Sequence, residues 1–188
     1  MVAIGMIPSA SNDFFIESID DIPGAIRGAP IYYIVRLLFI YVEREIDISD
    51  FKVKVFSEII RNAQFLTIQD YISVWTILGK LKLDVTDPSR ARLEAELIKV
   101  SIEGKYFKPH EMYTDELTNL LIGLASNRIQ DFSFLRKFMD QIKLRLKNDS
   151  ITLEELGRLA PALYAYSKSY ENIFIRFHDV CESKFGQF

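Results

Sequence analysis

One capped amphipathic stretch that returns twice constrains this chain more than any other feature. Leu66 to Lys82 reads LTIQDYISVWTILGKLK. Thr67 stands where an N-cap belongs, and Asp70 three residues later completes a capping box with Asp in place of the usual Glu or Gln. Tyr71, Val74, Trp75 and Leu78 then recur at helical spacing. A helix with such a side cannot bury it alone. From Asp70 to Glu116, a shift of 46, Tyr71, Val74, Trp75, Leu78 and Gly79 fall on Leu117, Leu120, Leu121, Leu124 and Ala125. From Glu116 to Glu155, a shift of 39, they fall on Leu156, Leu159, Ala160, Leu163 and Tyr164. The following helices obey the same 39-residue shift, with Leu135, Phe138 and Ile142 on Phe174, Phe177 and Cys181. This is the pattern a hairpin's first helix needs to pack both its mate and the next hairpin. The expected fold is all-α, an α-solenoid of three to four stacked antiparallel helical hairpins. Gly79 and Ala125 would let helices approach closely, and Tyr164 departs from that rule as a terminal, capping repeat does.

Taken in order, residues 1–29 read as an irregular N-terminal arm and 30–188 as the helical-repeat domain. The arm holds many apolar residues for a free tail (Ile4, Met6, Phe14, Phe15, Ile16), which favours packing on its own domain over docking on a partner. Pro30 opens a helix with Ile34, Leu37, Leu38 and Tyr41 on one side. Ser49 or Asp50 is the expected cap of the next, whose buried face is Phe51, Val55, Phe56, Ile59 and Ile60. Asp87-Pro88 starts a helix carrying Leu93, Leu97, Val100 and Ile102. Further helices are expected over 114–127, 131–147, 152–167 and 170–185. The extra seven residues of the first interval fit the 84–90 connection and the longer helix after it. No stretch alternates as a strand does.

The stretch Leu66-Thr67-Ile68-Gln69-Asp70-Tyr71, continuing to Leu78-Gly79-Lys80-Leu81, resembles the first helix of octotricopeptide and heptatricopeptide repeats, of the pentatricopeptide-like superfamily. The resemblance covers residues 50–188 through a degenerate motif, and the base-reading positions of the pentatricopeptide code have no counterpart here. It implies an α-solenoid of helical hairpins, a mitochondrial (matrix-side) location, and RNA as the commonest ligand. In length, repeat number and acidity the chain is also similar to the pentatricopeptide-like extra subunits on the catalytic head of euglenozoan mitochondrial ATP synthases, which bind protein. The opening residues lack the basic start of a secretory signal and the arginines of a transit peptide. The chain therefore either stays in the cytosol or is already processed.

Charge and chemistry narrow the function classes. Net charge is −3 at a pI near 5.5, so no global basic field draws in nucleic acid. Residues 1–48 carry 3 basic against 7 acidic side chains, 49–108 carry 10 against 8, and 109–188 carry 10 against 11. The densest basic run, Arg136, Lys137, Lys143, Arg145 and Lys147, lies on a second helix, whereas solenoids of this family read RNA from first helices. Those offer Lys80, Lys82, Arg128, Arg158 and Lys168, a thin supply for neutralising several phosphates together. The most apolar run, residues 31–42, falls short of the roughly 20 residues a membrane crossing needs.

His178 and Cys181, one turn apart, lack the further ligands of a zinc site. Cys181 aligns with an apolar position and is expected to be a buried structural thiol, and His178 to face solvent or a partner. The acids Asp115-Glu116 and Glu154-Glu155 suit helix N-termini. No catalytic, cofactor-binding or metal residues are assigned, and Pro161 inside the last first helix is read as a tolerated bend. The outward positions of the first helices, Gln69, Ser73, Thr76, Lys80, Thr118, Asn119, Ile122 and Arg158, are the candidates for binding a partner. The expectation is a non-enzymatic scaffold or interaction subunit contacting other protein subunits of a larger complex, with an organellar RNA-binding protein as the alternative.

Overall fold

The computed structural model describes residues 12–17, 19–81, 86–103 and 108–186. Ile4, Met6, Lys82 and the first two residues of the 84–90 connection lie outside them, as does the Phe14 side chain. The fold is all-helical, 77% helix, with ten α-helices and no strand among the described residues. The chain divides into two compact units, Met1–Gly104 and Lys105–Phe188.

The first unit contains α1 (Asn12–Glu17), α2 (Ile22–Ala25), α3 (Ile31–Glu43), α4 (Lys52–Arg61), α5 (Ile68–Lys80) and α6 (Pro88–Glu103). The arm read as irregular thus carries two short helices. Phe15, Ile22 and Ile26 are buried while Ile16 stays half open, and burying such side chains is worth about 1.5–3 kcal/mol each. α3 packs on α4 and α5, and α4 packs on α6. The expected faces of α3 and α4 are buried, except for half-buried Ile60. Tyr71, Val74, Trp75 and Leu78 are all within 1% of complete burial. The Tyr71 hydroxyl donates to the Leu97 carbonyl at 3.1 Å, tying α5 to α6 without leaving a buried phenol unpaired.

Two local readings need correcting. Neither Ser49 nor Asp50 caps α4. The Asp47 carboxylate accepts from the Ser49 amide (3.0 Å) and hydroxyl (2.7 Å), closing an Asx turn that takes Ser49 out of reach. On α6, Leu93 and Leu97 are buried, but Val100 is half-buried and Ile102 is 45% exposed. The buried side of the helix runs through Arg90, Leu93, Leu97 and Ser101, which leaves Val100 and Ile102 off it.

The second unit contains α7 (Thr114–Ser126), α8 (Phe132–Lys147), α9 (Leu153–Ala165) and α10 (Glu171–Phe185). α7 packs on α9, α8 on α10, and each helix also on its mate. Leu117, Leu120, Leu121, Leu124, Leu156, Leu159 and Leu163 are buried, as are Leu135, Phe138 and Ile142. Pro161 is accommodated within α9, on its exposed side.

The acids that the repeat aligns do the same job three times. Asp70 accepts from the Thr67 amide (3.4 Å), Glu116 from the Tyr113 amide (2.8 Å) and Glu155 from the Thr152 amide (2.7 Å). Thr67 and Thr152 return the bond to the amides of Asp70 and Glu155. At Tyr113 only the acid's half forms, because a phenol cannot fold back onto an amide three residues on. Three helices end on a non-glycine residue in the left-handed region, Glu45 (φ 55°), Arg128 (φ 56°) and Asp149 (φ 53°). Behind each, the next amide returns to a carbonyl five residues earlier: Ile46 to Tyr41, Ile129 to Leu124, Ser150 to Arg145. These are Schellman closures.

Candidate interaction surface

In the first unit the candidate positions share one side of α5. Gln69 and Lys80 are exposed and Ser73 and Thr76 half-buried. The two hydroxyls are turned back onto their own helix, Ser73 donating to the Gln69 carbonyl (2.8 Å) and Thr76 to that of Ile72 (3.0 Å). They present methylene and methyl groups more than free donors. Lys80 forms an ion pair with Glu43 on α3 and lies 5.9 Å from the Phe39 ring centre, so its charge is partly satisfied at home. Beside it, at the C-terminal ends of α3 and α5, lies an open cleft of about 570 Å³, lined by Val42, Glu43, Glu45, Ile46, Lys80 and Leu81 among others.

In the second unit the set divides. Arg158 of α9 donates to the Asn119 side chain of α7 at 2.6 Å, and half-buried Ile122 lies one turn along from Asn119. These three form a continuous strip over two parallel-running first helices. Thr118 does not belong to it. Expected to face outwards, it is completely buried, its hydroxyl donating to the Thr114 carbonyl at 2.8 Å so that only the methyl needs a neighbour.

The basic run on α8 is smaller than it reads. Arg145 is half-buried and donates to the Thr114 hydroxyl (2.9 Å) and to the Met112 carbonyl, holding the start of α7. Burial draws its pKa down, against the opposing pull of Glu155 and Glu116. Arg136 lies 3.7 Å from Asp140. A phosphate chain passing along α8 would therefore find fewer available cations than five.

His178 is exposed, 3.5 Å from Glu182. Cys181 is half-buried, which corrects the expectation of a buried thiol; partial burial still pushes its pKa up, away from a reactive thiolate. No group of three or more metal-ligating side chains occurs among the described residues. No helix among them is long and apolar enough to cross a membrane.

The residue list built from polar outward positions passed over the exposed aromatics. Tyr32 and Tyr33 lie with ring centres 4.1 Å apart, Phe132 stacks on Tyr170 at 5.2 Å, and Tyr164 meets Phe174 at 6.5 Å. Tyr113, Tyr164 and Phe185 are 76%, 73% and 61% exposed. The usable signal was an aromatic at a repeat position where the other copies hold a small or buried residue: Tyr164 against Gly79 and Ala125, Phe185 against Leu146. No family model matches the chain, and neither a curated protein nor a solved structure matches it.

Proposed function

We propose that this is a helical-repeat protein whose work is to hold other proteins, without chemistry of its own. The observation that carries the reading is the pairing pattern, first helix on first helix and second on second, which recurs within each unit. The acid at the start of α5, α7 and α9 makes the same backbone bond in each. Hairpins so arranged build extended surfaces and no enclosed site. The strip of Asn119, Ile122 and Arg158, polar but internally paired, suits a protein surface that supplies shape and a few hydrogen bonds. Against RNA stands the structural employment of Arg145 and Lys80, since affinity for phosphates rests on several cations neutralised together.

The narrower form of the proposal, a peripheral subunit of a mitochondrial assembly such as the ATP synthase catalytic head, rests on the family resemblance alone. Mass spectrometry of the native complex in which the protein travels tests both levels. Stable protein partners are expected. A free monomer would sink the proposal, and migration apart from the ATP synthase would remove its narrow form. Cross-linking to RNA with steep salt dependence would favour the organellar RNA-binding alternative.

A further inference from the structure

α4 turns one side to solvent within the first unit. At 100° per residue, Val53, Ser57 and Ile60 fall in a sector of about 60° and form one stripe along the helix. Val53 is 56% exposed, and Ser57 and Ile60 are half-buried. The Ser57 hydroxyl donates to the Val53 carbonyl at 2.7 Å, so this residue too turns carbon outwards. Two open recesses meet along the stripe. One, of about 440 Å³, lies between α4 and the start of α6, with Phe56, Ile60 and Pro88 in its walls. The other, of about 250 Å³, lies between α4 and α2, against Pro23 and Ile26. Val53 and Ser57 line both.

Positive charge flanks this apolar stripe on both sides. Lys52 and Arg92 line the first recess, and Arg27, Lys54 and Arg61 the second. Two of the five are spent locally, Lys52 on Asp87 and Arg61 on Glu58, the only acids among the described residues that line either recess. Arg27, Lys54 and Arg92 are exposed and have no ion-pair partner among the described residues. Uncommitted cations on both sides of an apolar stripe, in a chain of net charge −3, are complementary to an apolar line with carboxylates beside it. Residues 1–11, which precede the arm's first helix, contain neither Asp nor Glu and lack that charge. Nucleic acid fits less well, because Phe56, the aromatic lining a recess, is 1% exposed and offers bases no platform. An anionic bilayer would meet recesses where it needs protruding apolar side chains. We infer that the α4 groove takes an acidic amphipathic helix of a partner protein, its apolar line over Val53 and its carboxylates on Arg27, Lys54 and Arg92. The inference rests on the protein-holding reading above, and it adds a partner class and a site on a second helix, apart from the outward positions of the first helices.

Titration of the whole protein with a labelled synthetic peptide tests it. The probe is a helix-forming sequence with Leu at every third or fourth position and Glu on both flanks, set against its counterpart with Lys for every Glu. The Glu peptide should bind, the Lys peptide at least about tenfold more weakly, and added salt should weaken the first. Val53→Asp should lower the affinity about tenfold by charging the stripe, and Lys54→Glu with Arg92→Glu should lower it as much. Lys143→Glu, in the other unit, should leave it unchanged. A carbodiimide should join the Lys54 amine to a Glu of the peptide. All three groove positions are exposed, and an unchanged helical spectrum will show that the variants fold. Equal binding of the two peptides, or binding indifferent to the groove variants, would overturn the inference. Preferential binding of an RNA oligonucleotide or phosphatidylserine vesicles through Lys54 and Arg92, or a carbodiimide link from Lys54 to a second copy of this chain, would also overturn it by assigning the groove another occupant. Stable co-purifying proteins would survive each of these failures, and their absence would leave the peptide result standing, so the two readings fail separately.

Discussion

The hairpin α3–α4 and the hairpin α9–α10 use similar helices and meet different fates. Against the first, the chain folds back its own arm. Phe15 is completely buried, edge-on to Tyr41 at 5.7 Å, while the Tyr41 hydroxyl donates to the Phe15 carbonyl at 2.9 Å. Arg44 lies over the Phe15 ring at 4.7 Å and donates to the Asn12 side chain at 3.1 Å. The second hairpin has no such cover among the described residues, and its aromatics Tyr164 and Phe185 stand largely in solvent. A helical hairpin left uncovered on one side exposes apolar positions that a neighbour would bury. The arm, with Phe15, Ile22 and Ile26 buried, supplies apolar cover in the first unit, and nothing described does so for α9–α10.

Truncating one aromatic at each place tests that contrast most strongly. Phe15→Ala should cost about 3–5 kcal/mol, as loss of a buried aromatic does, whereas Phe185→Ala should stay within about 0.5 kcal/mol in dilute solution. Denaturant titration reads both, and equal costs would erase the distinction. Next in size is Arg145→Ala, which strips a half-buried carbonyl and a hydroxyl of their donor in the second unit. It should cost about 1–3 kcal/mol, and Arg145→Lys should recover little because a single ammonium cannot reproduce the forked contacts.

The caps give a finer comparison between the units. Thr67→Ala and Thr152→Ala should each cost about 1 kcal/mol, while Tyr113→Ala at the third, half-made box should cost almost nothing from capping. Thermal melts of the three variants separate these cases. The smallest effect concerns acid. The Lys52 ammonium, and after it the Ser89 hydroxyl, hold the Asp87 carboxyl well below the usual carboxylate range. Its contribution is complete above the unfolded value near pH 4 and fades as pH falls below that. For a pair this close to the surface it should amount to less than about 1 kcal/mol. Wild-type and Asp87→Asn stabilities should therefore converge on acidification; divergence would refute the assignment.

Much of this was legible in the amino-acid sequence, for identifiable reasons. Thr67, Asp131 and Thr152 cap where their side chains say they should, accepting from the amide three residues on at 2.9–3.2 Å. The apolar period marked α3, α5, α7 and α8 to within a residue or two, since a buried side fixes the phase of a helix. What escaped depends on neighbours that sequence spacing does not reveal. Ser49 was a plausible cap until Asp47, two residues before it, drew in its hydroxyl. Thr118 has the polarity of a surface residue, but its hydroxyl is satisfied within its own turn, so a packed neighbour costs it nothing. Arg145 sat in a run of cations, and only the fold shows that it serves the start of α7. The arm's short helices carry too few turns for a period to emerge. The candidate surface was the least legible part, because a search for polar outward positions passes over aromatics that fail to be covered.

The left-handed closures after α3, α7 and α8 bear on how this chain tolerates change over time. At Glu45 and Arg128 a side chain with a Cβ occupies a conformation that disfavours it by about 1 kcal/mol, and at Asp149 a short polar side chain eases the strain. Drift to glycine at the first two sites would be accepted or would stabilise the fold. Drift to valine or isoleucine is closed off, because branching at Cβ deepens the clash. These three exposed positions should therefore show narrow, glycine- and asparagine-leaning variation, set by backbone geometry.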